Sequence, residues 1–157
     1  INRIIIENIK KLNEDKYMTL TVFAVIEKGK FQFSGLHQDI MIRRAETGMV
    51  DLLETSGMWL GIMDEIGDTL TNEILQINIG DTILLYTDGI TEAWKKESLQ
   101  DKRDPSTEMF GEEKLLEIFQ KIGDKPVDEI KERILSEIKN GYTCNDDITM
   151  LIMRRLH

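Results

Sequence analysis

The 157-residue chain has one cysteine, too few basic residues to balance its acids, and no long apolar run. Each shortage narrows the reading. A lone Cys144 cannot form an internal disulfide, so nothing points to an oxidising compartment. Twenty Lys and Arg against 29 Asp and Glu leave a formal charge of −9. That balance argues against a nucleic-acid phosphate backbone as the main partner, because like charges repel. No apolar stretch approaches the ~20 residues of a membrane span, and no secretory signal pattern is present. This part of the protein therefore carries no membrane segment and reads as cytoplasmic. An initiating Met is also missing. The chain opens on Ile1, already inside an apolar pattern, so we expect the natural chain to begin upstream, where a membrane anchor is an open question.

What is present describes an ordinary globular protein, with 41% hydrophobic and 31% charged residues. The length predicts a single domain over residues 1–157, able to bury roughly two-thirds of its unfolded surface. No internal repeat, low-complexity tract or interdomain linker interrupts it. Ile1, Ile4, Ile5, Ile9 and Leu12 recur at helical spacing and predict an amphipathic helix over 1–14. Four short strands follow, at 17–26, 31–34, 39–44 and 50–53, linked by Gly-containing turns and expected to form an antiparallel meander. Residues 55–68 read as a loop or a strand interrupted by close backbone packing, and 69–79 as a further strand. Two helices, over 111–122 and from Lys125-Pro126 to Gly141, precede a last buried strand at 148–153. The polar region 97–109 reads as a long loop, functional or simply solvated. The order gives an α+β fold.

The most informative stretch is Asp81-Thr-Ile-Leu-Leu-Tyr-Thr-Asp-Gly-Ile-Thr-Glu92. Gly80-Asp81 is a turn signal, and Ile83 to Tyr86 form an apolar run expected to be buried on both faces. The run stops at Asp88-Gly89, an acid at a strand end followed by a residue that allows a sharp turn. The tripeptide Thr87-Asp88-Gly89 alone is equally an ordinary polar turn. A second acidic pair, Asp146-Asp147, precedes the last strand. If the two strands are antiparallel neighbours, the end of one and the start of the other share a sheet edge. Two carboxylates ~4 Å apart would repel by about 4 kcal/mol at an effective dielectric of ~20. They then need a shared proton or a cation. Oxygen ligands without nearby His or Cys suit Mg²⁺ or Mn²⁺ rather than Zn²⁺. Two capped turns with solvated acids are the alternative.

Gly80 to Glu92, Phe110-Gly111 and Asp146-Asp147-Ile-Thr149 together resemble successive motifs of the metal-dependent protein phosphatases. The likeness is to the protein phosphatase 2C-like fold in its bacterial SpoIIE-like branch. Met18-Thr19, Ser34-Gly35-Leu36-His37-Gln38 and Trp59-Leu60-Gly61 fit that branch in order, so the resemblance covers essentially the whole chain. It implies a sandwich of two antiparallel sheets with helices outside. It also implies hydrolysis of phosphoserine or phosphothreonine in a regulatory protein, such as an anti-sigma-factor antagonist, by a metal-activated water. Asp88 and Asp146 would be ligands of Mn²⁺ or Mg²⁺, two ions being expected in the complete domain. Gly89 and Asp147 would support them.

The chain departs from the family pattern at its beginning. The early Asp and the later Asp-Gly pair that supply the first ligands have no counterpart here, and Gly35-Leu36-His37 cannot replace them. We therefore expect the C-terminal part of a phosphatase domain, with weak metal affinity and little activity by itself. Uncovered sheet edges would invite pairing with another copy. His37 is read as a hydrogen-bonding or turn residue, and Cys144 as a small buried residue, since no basic group activates it. Trp59 is read as core packing, while Trp94 either packs or covers the site. A haloacid dehalogenase-like enzyme is rejected, because its nucleophilic Asp would stand where this chain has Tyr86. The remaining rival is a catalytically silent phosphatase-like module that binds a partner.

Overall fold

The computed structural model describes residues 1–13, 16–96 and 109–157, whose contacts group into two compact units. One comprises Ile1–Asp39 with Glu54–Ile77, the other Ile40–Leu53 with Asn78–His157. Most of the expected region 97–109 lies outside the described residues.

In the first unit, α1 (Asn2–Leu12) ends at Asn13, whose left-handed φ of 52° lets its N–H return to the Ile9 carbonyl. Ile6 is buried, and Asn2 fastens the other end. Its Nδ2 donates to the Met63 and Asp64 carbonyls, and its Oδ1 accepts from the Gly61 N–H. The sheet contains β1 (Leu20–Glu27), β2 (Lys30–Leu36) and, after a 3₁₀ turn at Gly67–Thr69, β5 (Glu73–Gln76). Its order is β1-β2-β5, antiparallel throughout, with Phe33 and Leu75 buried. Gly35 is required by space, since a Cβ there would meet the Leu20 carbonyl oxygen at 2.1 Å.

In the second unit, β3 (Ile40–Arg43), β4 (Val50–Leu53), β6 (Thr82–Tyr86) and β9 (Met150–Arg154) form an antiparallel sheet of order β4-β3-β6-β9. Short α2 (Asp88–Thr91) follows β6, and β7 (Trp94–Lys95) pairs with β8 (Tyr142–Thr143). Two longer helices, α3 (Glu112–Ile122) and α4 (Val127–Gly141), pack on the sheet through one apolar core. Leu115 and Phe119 of α3, and Ile130, Ile134 and Ile138 of α4, meet Met41, Leu84 and Tyr86 there. The 3-4 spacing of the buried positions is what makes both segments helices, and each such side chain contributes ~1.5–3 kcal/mol on burial. Arg154 closes the α3–α4 junction. It donates to Thr82 Oγ1 at 2.8 Å and to the carbonyls of Gly123 and Lys125, each at 2.6 Å.

The α+β class and the antiparallel sheets agree with expectation; four details do not. The four early strands are not a meander, because β1 and β2 belong to one sheet and β3 and β4 to another. The link after β2 makes no hairpin. His37 N–H donates to Thr55 Oγ1, and the Asp39 carboxylate accepts from Thr55 N–H, so residues 37–39 are tied to Thr55. The last strand is not buried on both faces, since Leu151 and Met153 are exposed and alternate with half-buried neighbours. Cys144 is exposed, lying in the turn that joins β8 to Asp146. His37 does act as a hydrogen-bonding residue, its Nδ1 lying 2.8 Å from Thr19 Oγ1.

Candidate metal centre

The β6–β9 pairing runs from Thr82 opposite Arg154 to Tyr86 opposite Met150, and it is antiparallel. Ile83, Leu84 and Tyr86 are buried, so the register is held by apolar burial. The end of β6 and the start of β9 therefore share one edge of the sheet. Asp88 leaves that edge as the first residue of α2, while Asp146 and Asp147 enter it from the β8 side. A parallel pairing would have put these acids at opposite ends.

The two segments touch through their backbones. Thr87 N–H donates to the Thr149 carbonyl at 3.1 Å, and Thr149 N–H donates to Thr87 Oγ1 at 3.0 Å. Gly89 is buried against the acidic turn. A Cβ on it would lie 2.3 Å from the Asp147 carbonyl oxygen and 3.3 Å from that of Asp146. Here glycine is required by close approach rather than by an unusual φ.

The carboxylates differ in their surroundings. Asp146 is exposed, and its Oδ1 accepts the Asp147 N–H at 2.7 Å, which bends the chain into β9. Asp147 is exposed too. Asp88 is half-buried, and among the described residues no hydrogen bond or ion pair engages its carboxylate. A half-buried carboxylate without a protein partner is a donor that a hard cation fits. Partial desolvation holds the Cys144 thiol, two residues before Asp146, above its ordinary pKa. Among the described residues no three Asp, Glu, His or Cys side chains converge. The acids that the β6–β9 pairing brings to this end of the sheet are thus Asp88, Asp146 and Asp147, with Gly89 in close contact with the backbone of Asp147.

Sequence reasoning missed the acid at the other end of β6. Asp81 is 1% exposed and accepts from the N–H groups of Ala45 and Asn78 and from Arg44 Nη1 at 2.9 Å. Burial alone would raise its pKa, but the two backbone donors and the Arg44 charge outweigh it and hold the carboxyl below its ordinary value. Arg44 also binds Asp51 at 2.6 Å. The Gly80-Asp81 pair signalled a turn; nothing local pointed to a partner 37 residues away.

Comparison with known proteins places this geometry in context. A family model described as stage II sporulation protein E (SpoIIE) matches residues 1–156. Protein IcfG from Synechocystis sp. (strain ATCC 27184 / PCC 6803 / Kazusa) is 30% identical over 122 residues, covering 76% of this chain and 17% of that protein. The RsbU and RsbW domains of Rv1364c from Mycobacterium tuberculosis superpose with a TM-score of 0.71 at 24% identity, over 96% of this chain and 39% of that one. The catalytic domain of the serine/threonine protein phosphatase PstP, also of Mycobacterium tuberculosis, was solved in complex with 2 manganese ions. It matches with a TM-score of 0.65 at 15% identity, over 99% of this chain and 67% of that one. The chain thus spans well under half of IcfG and of the Rv1364c structure, and its fold is that of protein phosphatase 2C-like domains.

Proposed function

Because the chain belongs to the family of stage II sporulation protein E (SpoIIE), we propose that it serves a metal-dependent serine/threonine protein phosphatase. Residues 1–157 act as one functional domain in this reading. Its substrate is a phosphoserine or phosphothreonine in a cytoplasmic regulatory protein, of the kind represented by anti-sigma-factor antagonists. Asp88 and Asp146 hold Mn²⁺ or Mg²⁺, and Gly89 and Asp147 support them. The observation that supports the reading is the antiparallel β6–β9 pairing, which brings Asp88, whose carboxylate has no partner among the described residues, to the same end of the sheet as the Asp146-Asp147 turn.

When bound there, a divalent cation lowers the pKa of a coordinated water and offsets negative charge on a phosphoryl group. The chain's own residues provide the anchoring. Asp88 opens α2 directly after the buried strand β6, so its position does not depend on a long loop. Asp146 spends Oδ1 on the Asp147 N–H and keeps Oδ2 for a ligand. Gly89 lets the two segments meet.

Two carboxylates make a partial ligand set, so this chain alone binds the metal weakly and turns over little substrate. Sheet edges left unpaired offer a route to association with a second copy. The same short ligand set favours one rival, a silent phosphatase-like module that binds a protein partner. Hydrolysis separates the two. In the full natural protein, Asp88→Asn and Asp146→Asn should each abolish Mn²⁺-dependent release of phosphate from a phosphopeptide. Undiminished turnover in either variant would refute the assignment, and a wild-type protein without turnover would favour the silent module.

A further inference from the structure

We propose that Thr87 is a positioning residue that sets the separation of Asp88 from Asp146 through its hydroxyl. This rests on the metal-centre reading above and adds a residue to it. Thr87 occupies the ladder position after Tyr86, opposite Thr149. A continuing antiparallel pair would exchange two main-chain hydrogen bonds. Only one is made, from Thr87 N–H to the Thr149 carbonyl. The Thr87 carbonyl is already committed to α2, accepting from Ile90 N–H at 3.1 Å. Its hydroxyl takes the carbonyl's place in the ladder and accepts the Thr149 N–H at 3.0 Å. The hydroxyl proton is then directed to the Asp147 carbonyl at 3.3 Å, with the Thr149 carbonyl farther off at 3.5 Å.

One side-chain oxygen thereby performs two tasks. It lets the backbone leave the sheet and start a helix at Asp88, and it ties that departure to the residue beside Asp146. A hydroxyl is suited to this because it carries one donor and two acceptor sites on a single atom. Gly89 allows the segments to touch, whereas the Thr87 hydroxyl ties the start of α2 to Thr149 and Asp147. Groups that orient metal ligands in this way act through ligand geometry, so their loss is read in metal affinity.

The test is a Mn²⁺ titration of the protein, followed by the electron paramagnetic resonance signal of free Mn²⁺, together with amide hydrogen exchange at Thr149. Thr87→Val keeps the side-chain shape without the hydroxyl, and Thr87→Ser keeps the hydroxyl. Thr87→Val should raise the Mn²⁺ dissociation constant about tenfold and speed exchange at Thr149, with Thr87→Ser within about twofold of wild type. Thr87→Ala replaces the valine variant should valine unfold the protein. Asp88→Asn is run beside them. Wild-type affinity in Thr87→Val with impaired Asp88→Asn overturns the positioning role and leaves the metal centre standing. Wild-type affinity in Asp88→Asn overturns the metal centre and, with it, this role. Unchanged exchange at Thr149 in Thr87→Val refutes the hydroxyl link independently of any metal.

Discussion

Gly89 approaches Asp147 so closely that a methyl group on its Cα would sit 2.3 Å from the Asp147 carbonyl oxygen. Real side chains do not tolerate that distance, and the obstructing atom is backbone. The two acidic segments can therefore stay together only while residue 89 has no side chain.

Gly89→Ala should force the Asp146-Asp147 turn away from α2. Overpacking of this kind costs roughly 1–3 kcal/mol. Urea denaturation should show that loss, and Mn²⁺ affinity should fall in the same variant. Wild-type stability and affinity would mean that the turn moves aside freely and does not define the site.

Asp81 predicts a pH dependence with a definite sign. Its folded pKa lies below the ordinary value of an aspartate. The stability it contributes is therefore complete above about pH 4 and is lost as pH falls through the folded value. Asp81→Asn should cost about 3 kcal/mol at pH 7, because the Arg44 guanidinium loses its buried carboxylate partner. Urea unfolding of both proteins from pH 7 to 2 should show the gap narrowing at the acid end. A gap that widens there would contradict the assignment.

Arg154→Met should loosen the α3–α4 junction. The guanidinium serves Thr82, Gly123 and Lys125 together, and hydrogen bonds to charged groups are worth about 1.5–3 kcal/mol each net of exchange with water. Amide exchange should quicken at the C-terminal turn of α3 and the start of α4, while α1 is unaffected. Uniform loss of protection would instead mark Arg154 as a global stability residue.

These contacts also show what a sequence can carry. The run Ile83–Tyr86 reads as a buried strand because its apolar residues are contiguous, and α3 and α4 read as helices because theirs recur at 3.6. That Asp88 and Asp146 lie at one end of the sheet depended on an antiparallel pairing that the sequence left conditional and the sheet supplies. Sheet membership did not follow, since the short link from Leu36 to Ile40 resembles a hairpin turn until Thr55 engages His37 and Asp39. Asp81–Arg44 and Thr87–Thr149 were equally illegible, because polar pairing across tens of residues leaves no periodic trace. The exposure of Leu151, Met153 and Cys144 was misjudged for a related reason: an edge strand and its approach can be apolar without being covered.

The central claim is that Asp88 and Asp146 hold one cation between the ends of β6 and β9. Substoichiometric Mn²⁺ added to ¹⁵N-labelled protein tests it most directly, because the paramagnetic ion broadens the amides nearest to it. The signals of Asp88, Gly89, Asp146 and Asp147 should broaden first, and Asp88→Asn should remove the effect from all four. Broadening that begins elsewhere, for example at the acidic Glu129 and Glu132 of α4, with these four unaffected, would contradict the account.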